Sequence, residues 1–234
     1  MTRGVFITGT DTGIGKTRAS VALLRALAAQ GLCAVGMKPV ASGCEYVDGR
    51  FSNEDARALI AASSAPPAYE LCNPYALRDA VAPHLAAAAE GVTIALDPIR
   101  AAYATLAAGT GCVVVEGAGG WAVPLGLSLM QADIPRALDL PVILVVGLRL
   151  GCINHALLSA RAIRADGCTL LGWIGNAIDP MQALQADNVA TLRERLDVPC
   201  LGLIAHGARD GAVGEAVVRI AGLARGAGVG RSGK

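Results

Sequence analysis

The sequence predicts an α/β fold, a doubly wound, mostly parallel sheet with helices on both faces. Short runs rich in β-branched residues recur between Ala/Leu-rich stretches along the whole chain. Each run is nearly continuous in its apolar character rather than alternating, the pattern of strands covered on both faces. The two kinds of stretch alternate with no linker, repeat or low-complexity segment between them, which predicts one domain over residues 1–225.

The first strand is residues 4–8, Gly4-Val5-Phe6-Ile7-Thr8, and a Gly-rich turn joins it to a helix over residues 15–30. The second strand, residues 34–39, carries Lys38 near its end. Residues 43–96 have little strand character and read as helical and loop excursions beside the site. Within them Asn53-Glu54-Asp55 opens a helix over residues 53–62, with Asn53 as its cap and the acidic pair at the positive end of the helix dipole. A helix over residues 98–108 precedes the strand 112–116, and the strand 141–146 lies in an apolar run that Arg149 ends. Helix 153–165, strand 170–176, helix 183–196, strand 199–204 and helix 213–225 complete the alternation, and residues 226–234 read as a frayed tail.

Composition excludes several classes of function. Of 234 residues, 53% are hydrophobic and 17% charged, which is the opposite of a disordered chain. Lys plus Arg is 20 against 19 Asp plus Glu, so no global basic field exists for nucleic acid or an anionic membrane. The mean hydropathy of +0.49 is high, but the longest apolar run, residues 140–148, falls far short of a spanning helix. The N-terminus has no signal-peptide apolar region, so a soluble, cytoplasmic protein is expected. Seven cysteines with no Cys-x-x-Cys pair fit neither a disulfide framework nor a zinc site and read as small reduced core residues.

The strongest motif is Gly9-Thr10-Asp11-Thr12-Gly13-Ile14-Gly15-Lys16-Thr17, directly after the first strand and opening the first helix. Backbone N–H groups in such a turn, with the helix N-terminus, make a nest for phosphate oxygens. In this pattern Lys16 reaches the terminal phosphates and the Thr17 hydroxyl ligates Mg²⁺. Thr10 stands where the usual first glycine would be. Lysine usage points the same way: among 20 basic residues only Lys16, Lys38 and Lys234 are lysine. An ammonium is a compact point charge that Arg's planar fork cannot replace in a tight site. Ligands of open parallel sheets bind at the strands' carboxyl ends, which puts Lys38 on the same edge as Lys16. Val113-Val114-Val115-Glu116-Gly117-Ala118-Gly119-Gly120 delivers one carboxylate at a strand end, as nucleotide-hydrolysing folds place a Mg²⁺ ligand.

These segments, with Lys38-Pro39-Val40-Ala41-Ser42-Gly43, Asn73-Pro74-Tyr75, Pro83-His84, Trp121, Leu150-Gly151-Cys152-Ile153-Asn154-His155 and Gly172-Trp173, run in order from Met1 to about Leu203. On them the chain resembles the dethiobiotin synthetase family, ATP-dependent carboxylases that close the ureido ring of the biotin precursor. The resemblance implies a P-loop NTPase type of fold. It also implies ATP as co-substrate with Mg²⁺, and 7,8-diaminononanoate and CO₂ as the other substrates.

As catalytic groups the resemblance implies Lys16, Lys38 and Thr12, with the two lysines flanking the reacting carbamate and γ-phosphate. Nucleotide contacts are implied for Gly13, Ile14, Gly15, Lys16, Thr17 and Arg18, for Asp55 and Glu116, for Gly117, Ala118 and Gly119, and for Asn176 at the base. Thr17, Asp55 and Glu116 are implied as Mg²⁺ ligands, Asp55 on the resemblance only. Ser42 falls on the substrate, and so do Gly151, Cys152, Ile153 and Asn154. That last loop opens a helix whose free N–H groups suit a carboxylate, and in the family it comes from the partner of a homodimer. The chain departs from the family at Gly13 (often Glu), Ala177 (often Asp), Asn188 (a Tyr) and Ala205 (a Pro). These positions bear on adenine selectivity and carboxylate binding rather than the core chemistry. His84, His155 and His206 read as structural. Two other classes suit such a sheet: a positioning or partition ATPase, which often has a lysine where this chain has Asp11, and a small-molecule kinase.

Overall fold

The structure, a computed structural model, describes residues 4–208 and 213–226. In chain order its elements are β1 (Gly4–Gly9), α1 (Lys16–Ala29), β2 (Ala34–Met37), β3 (Val40–Ala41), β4 (Glu45–Val47), β5 (Arg50–Ser52), α2 (Glu54–Ala62), α3 (Tyr69–Cys72), β6 (Tyr75–Ala76) and α4 (Pro83–Ala89). They continue with α5 (Leu96–Ala108), β7 (Cys112–Glu116), α6 (Asp133–Ala137), β8 (Val142–Leu148), α7 (Cys152–Ala165), β9 (Leu170–Ala177), α8 (Gln185–Arg195), β10 (Cys200–Ile204) and α9 (Gly214–Gly226). The six expected strands form one sheet in the order β10-β9-β8-β1-β7-β2. Every pairing in it is parallel, as the continuous apolar runs required.

Alternate residues of each strand feed two separate cores. On one face Phe6, Val115, Leu144 and Trp173 pack with Ile99 and Leu106 of α5, Ala156 and Ile163 of α7, and Leu192 of α8. On the other, Ile7, Val114, Val145 and Ile174 meet Leu23, Leu24 and Leu27 of α1, Leu59 of α2 and Ile220 of α9. A strand buried on both sides has no solvent face on which to place polar residues, so the sheet interior is apolar almost throughout. The fold is therefore α/β and doubly wound. Five of the seven cysteines are buried and all are free, and burial pushes the Cys72 and Cys112 thiols up to about 12.

Two expectations need correction. The second strand stops at Met37 because Pro39 has no N–H for the ladder. Val40 and Ala41 leave the main sheet and pair in parallel with Tyr75 and Ala76. Residues 43–96 hold more than helices and loops: Glu45–Val47 and Arg50–Ser52 form an antiparallel hairpin turned by Asp48 and Gly49, both at positive φ. Residues 227–234, most of the expected tail, lie outside the described residues. Among the described residues no helix is long and apolar enough to cross a membrane.

Candidate active site

The carboxyl edge of the sheet gathers the polar residues that the apolar strands cannot hold. Gly15 ends the loop after β1 with φ 85° and precedes α1. A Cβ there would lie 2.0 Å from Asn176 Nδ2, so the close approach of β9 requires glycine. No side chain caps α1, which leaves the N–H groups of its first turn for an anion. Lys16 opens the helix, and its ammonium, buried in the loop, donates to the Asp11 carbonyl at 3.1 Å. Burial, and after it the nearby charge of Lys38, lowers the Lys16 pKa to about 8, so the group stays mostly protonated at neutral pH.

Lys38 follows β2 and is fixed through its backbone. Its N–H donates to the Cys72 carbonyl and its own carbonyl accepts from Asn73 Nδ2, both at 2.7 Å. The ammonium, 4% exposed, donates to Glu116 Oε1 at 2.7 Å, to Asp55 Oδ2 at 2.9 Å and to the Gly117 carbonyl at 3.3 Å. Burial taken alone would lower its pKa, but the Glu116 and Asp55 carboxylates outweigh it and hold Lys38 above the ordinary lysine value. For Asp55 burial pushes upward, and Lys38 and Thr17 overcome it to hold the carboxyl below the usual range. Asn53, as expected, caps α2: its side chain accepts from Ala56 N–H at 3.3 Å, which sets Asp55 on the first turn facing the cluster.

Glu116, at the end of β7, is fully buried. Thr17 Oγ1 lies 2.9 Å from its Oε1 and 2.7 Å from Asp55 Oδ1, and Ser20 Oγ donates to its Oε2 at 2.8 Å. Thr17, Asp55 and Glu116 thus present a hard-oxygen donor set. With only two carboxylates it suits a cation such as Mg²⁺, which keeps waters and substrate phosphates in its shell.

Over this cluster opens a cavity of about 1010 Å³. Thr12, Gly13, Gly15, Lys16, Thr17 and Arg18 line it on one side. Lys38, Ser42 and Asp55, with Ala118 and Gly119, line the other. Most of the residues singled out in the sequence are therefore brought together. Arg18, while lining the cavity, also ties α1 to the segment after β10 by donating to the carbonyls of Ala205 and Ala208. Others are placed differently. Asn176 lies behind the phosphate loop rather than in the cavity lining, with Nδ2 donating to the Ile14 carbonyl at 2.8 Å and Oδ1 buried without a partner. Ile14 is a core residue. Gly151, Cys152, Ile153 and Asn154 open α7 outside the lining of their own chain's cavity.

Sequence reasoning missed Ser20, whose signal was its place one turn beyond Lys16 on the same helix face. It also missed the Arg149–Asp11 ion pair at 2.6 Å and Gln131, which bonds the loop after Glu116. These partners are distant in sequence, and no local pattern marks them.

A family model described as an AAA domain matches residues 3–208. The ATP-dependent dethiobiotin synthetase BioD of Xanthomonas oryzae pv. oryzae (strain PXO99A) is 59% identical over 199 residues, covering 85% of this chain and 89% of that protein. The protein of the same name from Xylella fastidiosa (strain 9a5c) is 58% identical over 201 residues, covering 86% and 89%. Among solved structures, the MinD cell division protein of Aquifex aeolicus aligns with a TM-score of 0.57 at 13% identity, over 94% of this chain and 97% of that one. The signal recognition particle receptor FtsY of Elizabethkingia anophelis in complex with GDP aligns at 0.55 and 15% identity, over 94% of this chain and 63% of that one. At these identities the two structures speak for the fold alone, the P-loop NTPase-like sheet. The sequence relatives decide the rest: the chain belongs to the ATP-dependent dethiobiotin synthetase family.

Proposed function

We propose that the protein carboxylates 7,8-diaminononanoate with CO₂ and closes the ureido ring at the expense of ATP, giving dethiobiotin, ADP and phosphate. The observation that carries this reading is the convergence of two ammonium groups on one cavity beside a nucleotide loop. One amine of the substrate attacks CO₂, loses a proton to solvent and becomes a carbamate. A carbamate oxygen then attacks the γ-phosphorus, ADP leaves, and a carbamic–phosphoric anhydride remains. The second amine attacks its carbonyl carbon, phosphate leaves with the bonding electrons, and the amine gives up its proton as the ring closes.

Negative charge gathers where the carbamate oxygen meets the γ-phosphate, and fixed cations in a water-poor site stabilise it. Lys16 supplies one from the helix start and Lys38 the other from the end of β2, while Thr12 borders the same space. The uncapped N–H groups of α1 hold the phosphates, and Ser42 faces the substrate side. Mg²⁺ held by Thr17, Asp55 and Glu116 would neutralise phosphate charge and let ADP leave. With that ion on Asp55 and Glu116, the Lys38 ammonium would face the carbamate. Asn176 is assigned to the base side of the nucleotide, and its unpartnered Oδ1 behind the phosphate loop supports that assignment.

The substrate's distal carboxylate is assigned to the start of α7, residues 151–154, contributed by the second subunit of a homodimer. In support, this segment opens a helix with no side-chain cap, lies outside its own chain's cavity, and is preceded by Leu150, 94% exposed. The test is incorporation of labelled CO₂ into an acid-stable cyclic urea, with ATP consumption measured in parallel. Consumption should require both bicarbonate and the diamine. Consumption without either, or phosphate retained on the product, would overturn the reading in favour of an ATPase or a kinase.

A further inference from the structure

Gln131 is 1% exposed and carries no charge, yet both ends of its carboxamide are bonded to the loop that follows Glu116. Its Oε1 accepts from the Ala118 N–H at 2.5 Å, and its Nε2 donates to the Gly120 carbonyl. A side chain with an acceptor at one corner and a donor at the other is what these two backbone groups need, and only an amide of this length supplies both. Gln131 is itself pinned. Its N–H donates to the Val123 carbonyl at 2.8 Å, and its carbonyl accepts from Ile134 N–H at 3.0 Å. The fit is close on the loop side as well: a Cβ on Gly117 would come 2.7 Å from Oε1.

The clamped loop spans the site. At one end the Gly117 carbonyl accepts from Lys38, and farther along a Cβ on Gly119 would stand 3.3 Å from Thr12 Oγ1. We propose that Gln131 is a positioning residue for the substrate half of the site, holding this loop so that Lys38 and Thr12 keep their places on either side of it. The proposal rests on the reaction assigned above, in which the carbamate forms between these groups. The carboxamide makes no bond to the phosphate loop or α1, so it acts on ATP only through the loop it clamps and most directly on the space between Lys38 and Thr12.

Gln131→Met keeps the length of the side chain and removes both bonds. It should raise the KM for the diamine about tenfold and lower kcat severalfold, with any change in the ATP dissociation constant smaller than the change in diamine KM. Hydrogen exchange at the Ala118 amide should accelerate in the same variant. Gly117→Ala presses on Oε1 from the opposite side and should give the same kinetic signature, and the double variant should be little worse than either single one. An unchanged diamine KM in both variants, with any loss of kcat matched by the loss of folded protein, overturns the assignment. Failure of the unmutated enzyme to form the cyclic urea would instead overturn the proposed function, while the exchange rate at Ala118 still reads the clamp itself.

Discussion

An ammonium bonded to two carboxylates inside a protein is costly to desolvate, and each partner depends on the other to offset that cost. Lys38 and the fully buried Glu116 stand in this relation at 2.7 Å. Replacing Lys38 by Met should therefore do two things: abolish ring closure, by on the order of 10²-fold or more, and destabilise the fold by roughly 3–5 kcal/mol as Glu116 is left bare. Adding Glu116→Gln should recover most of the thermal midpoint, a shift on the order of 10 °C, and none of the activity. Calorimetry beside the cyclic-urea assay separates the two effects. Lys16→Ala should cost a similar factor in turnover, and Lys38→Arg should fail as well, because a planar fork cannot make these contacts in the space of a point charge. Near-normal ring closure by Lys38→Arg would remove the argument. Lysine scarcity made both residues legible in the sequence. What it could not reveal is that Lys38 leans on the carboxylates at positions 55 and 116, because that pairing depends on three strand and helix ends meeting at one edge.

The six strands of the main sheet were legible for one physical reason: burial on both faces leaves a continuous apolar run. Their ends were less so: Pro39, Pro141 and Pro199 mark three of the discrepancies, since each lacks an N–H for the ladder but still flanks a strand, and three strands run on to Gly9, Leu148 and Ala177. The hairpin over Glu45–Ser52 had a readable signal in Asp48-Gly49, a pair suited to two successive positive φ values. Its strands of three residues are too short for any periodicity to announce. The pairing of Val40–Ala41 with Tyr75–Ala76 had no signal at all, because two residues show no alternation. Among the helices, α7 carries a sharp expectation. Gly151 precedes it at φ 90°, which proline cannot adopt. Gly151→Pro should deform the first turn and raise the diamine KM about tenfold, with ATP binding unchanged. Equal weakening of ATP would place the carboxylate site elsewhere.

At the scale of the whole molecule, the assignment of residues 151–154 to a neighbouring subunit's cavity makes complementation the decisive measurement. Lys16→Ala damages the nucleotide half of a site and Gly151→Pro the carboxylate half. Mixed, allowed to exchange subunits and assayed at diamine well below the parental KM, the two impaired proteins should reach about a quarter of parental activity, since half the dimers are hybrids and each has one intact site. No recovery after exchange, or a fully active monomer in sedimentation, would refute a shared site. The order of strands has a further consequence, for biosynthesis. β1 sits in the middle of the sheet, with Gly4 beside Val113 and Thr8 beside Leu144. On a ribosome adding about 5–20 residues per second, that strand emerges on the order of 10 s before either neighbour exists. The segment that ends in the phosphate loop must wait unpaired through that interval, a natural client for chaperones. Stalled nascent chains in which β7 has not yet emerged should be cut readily by protease near the N-terminus, and chains that have released β8 should resist.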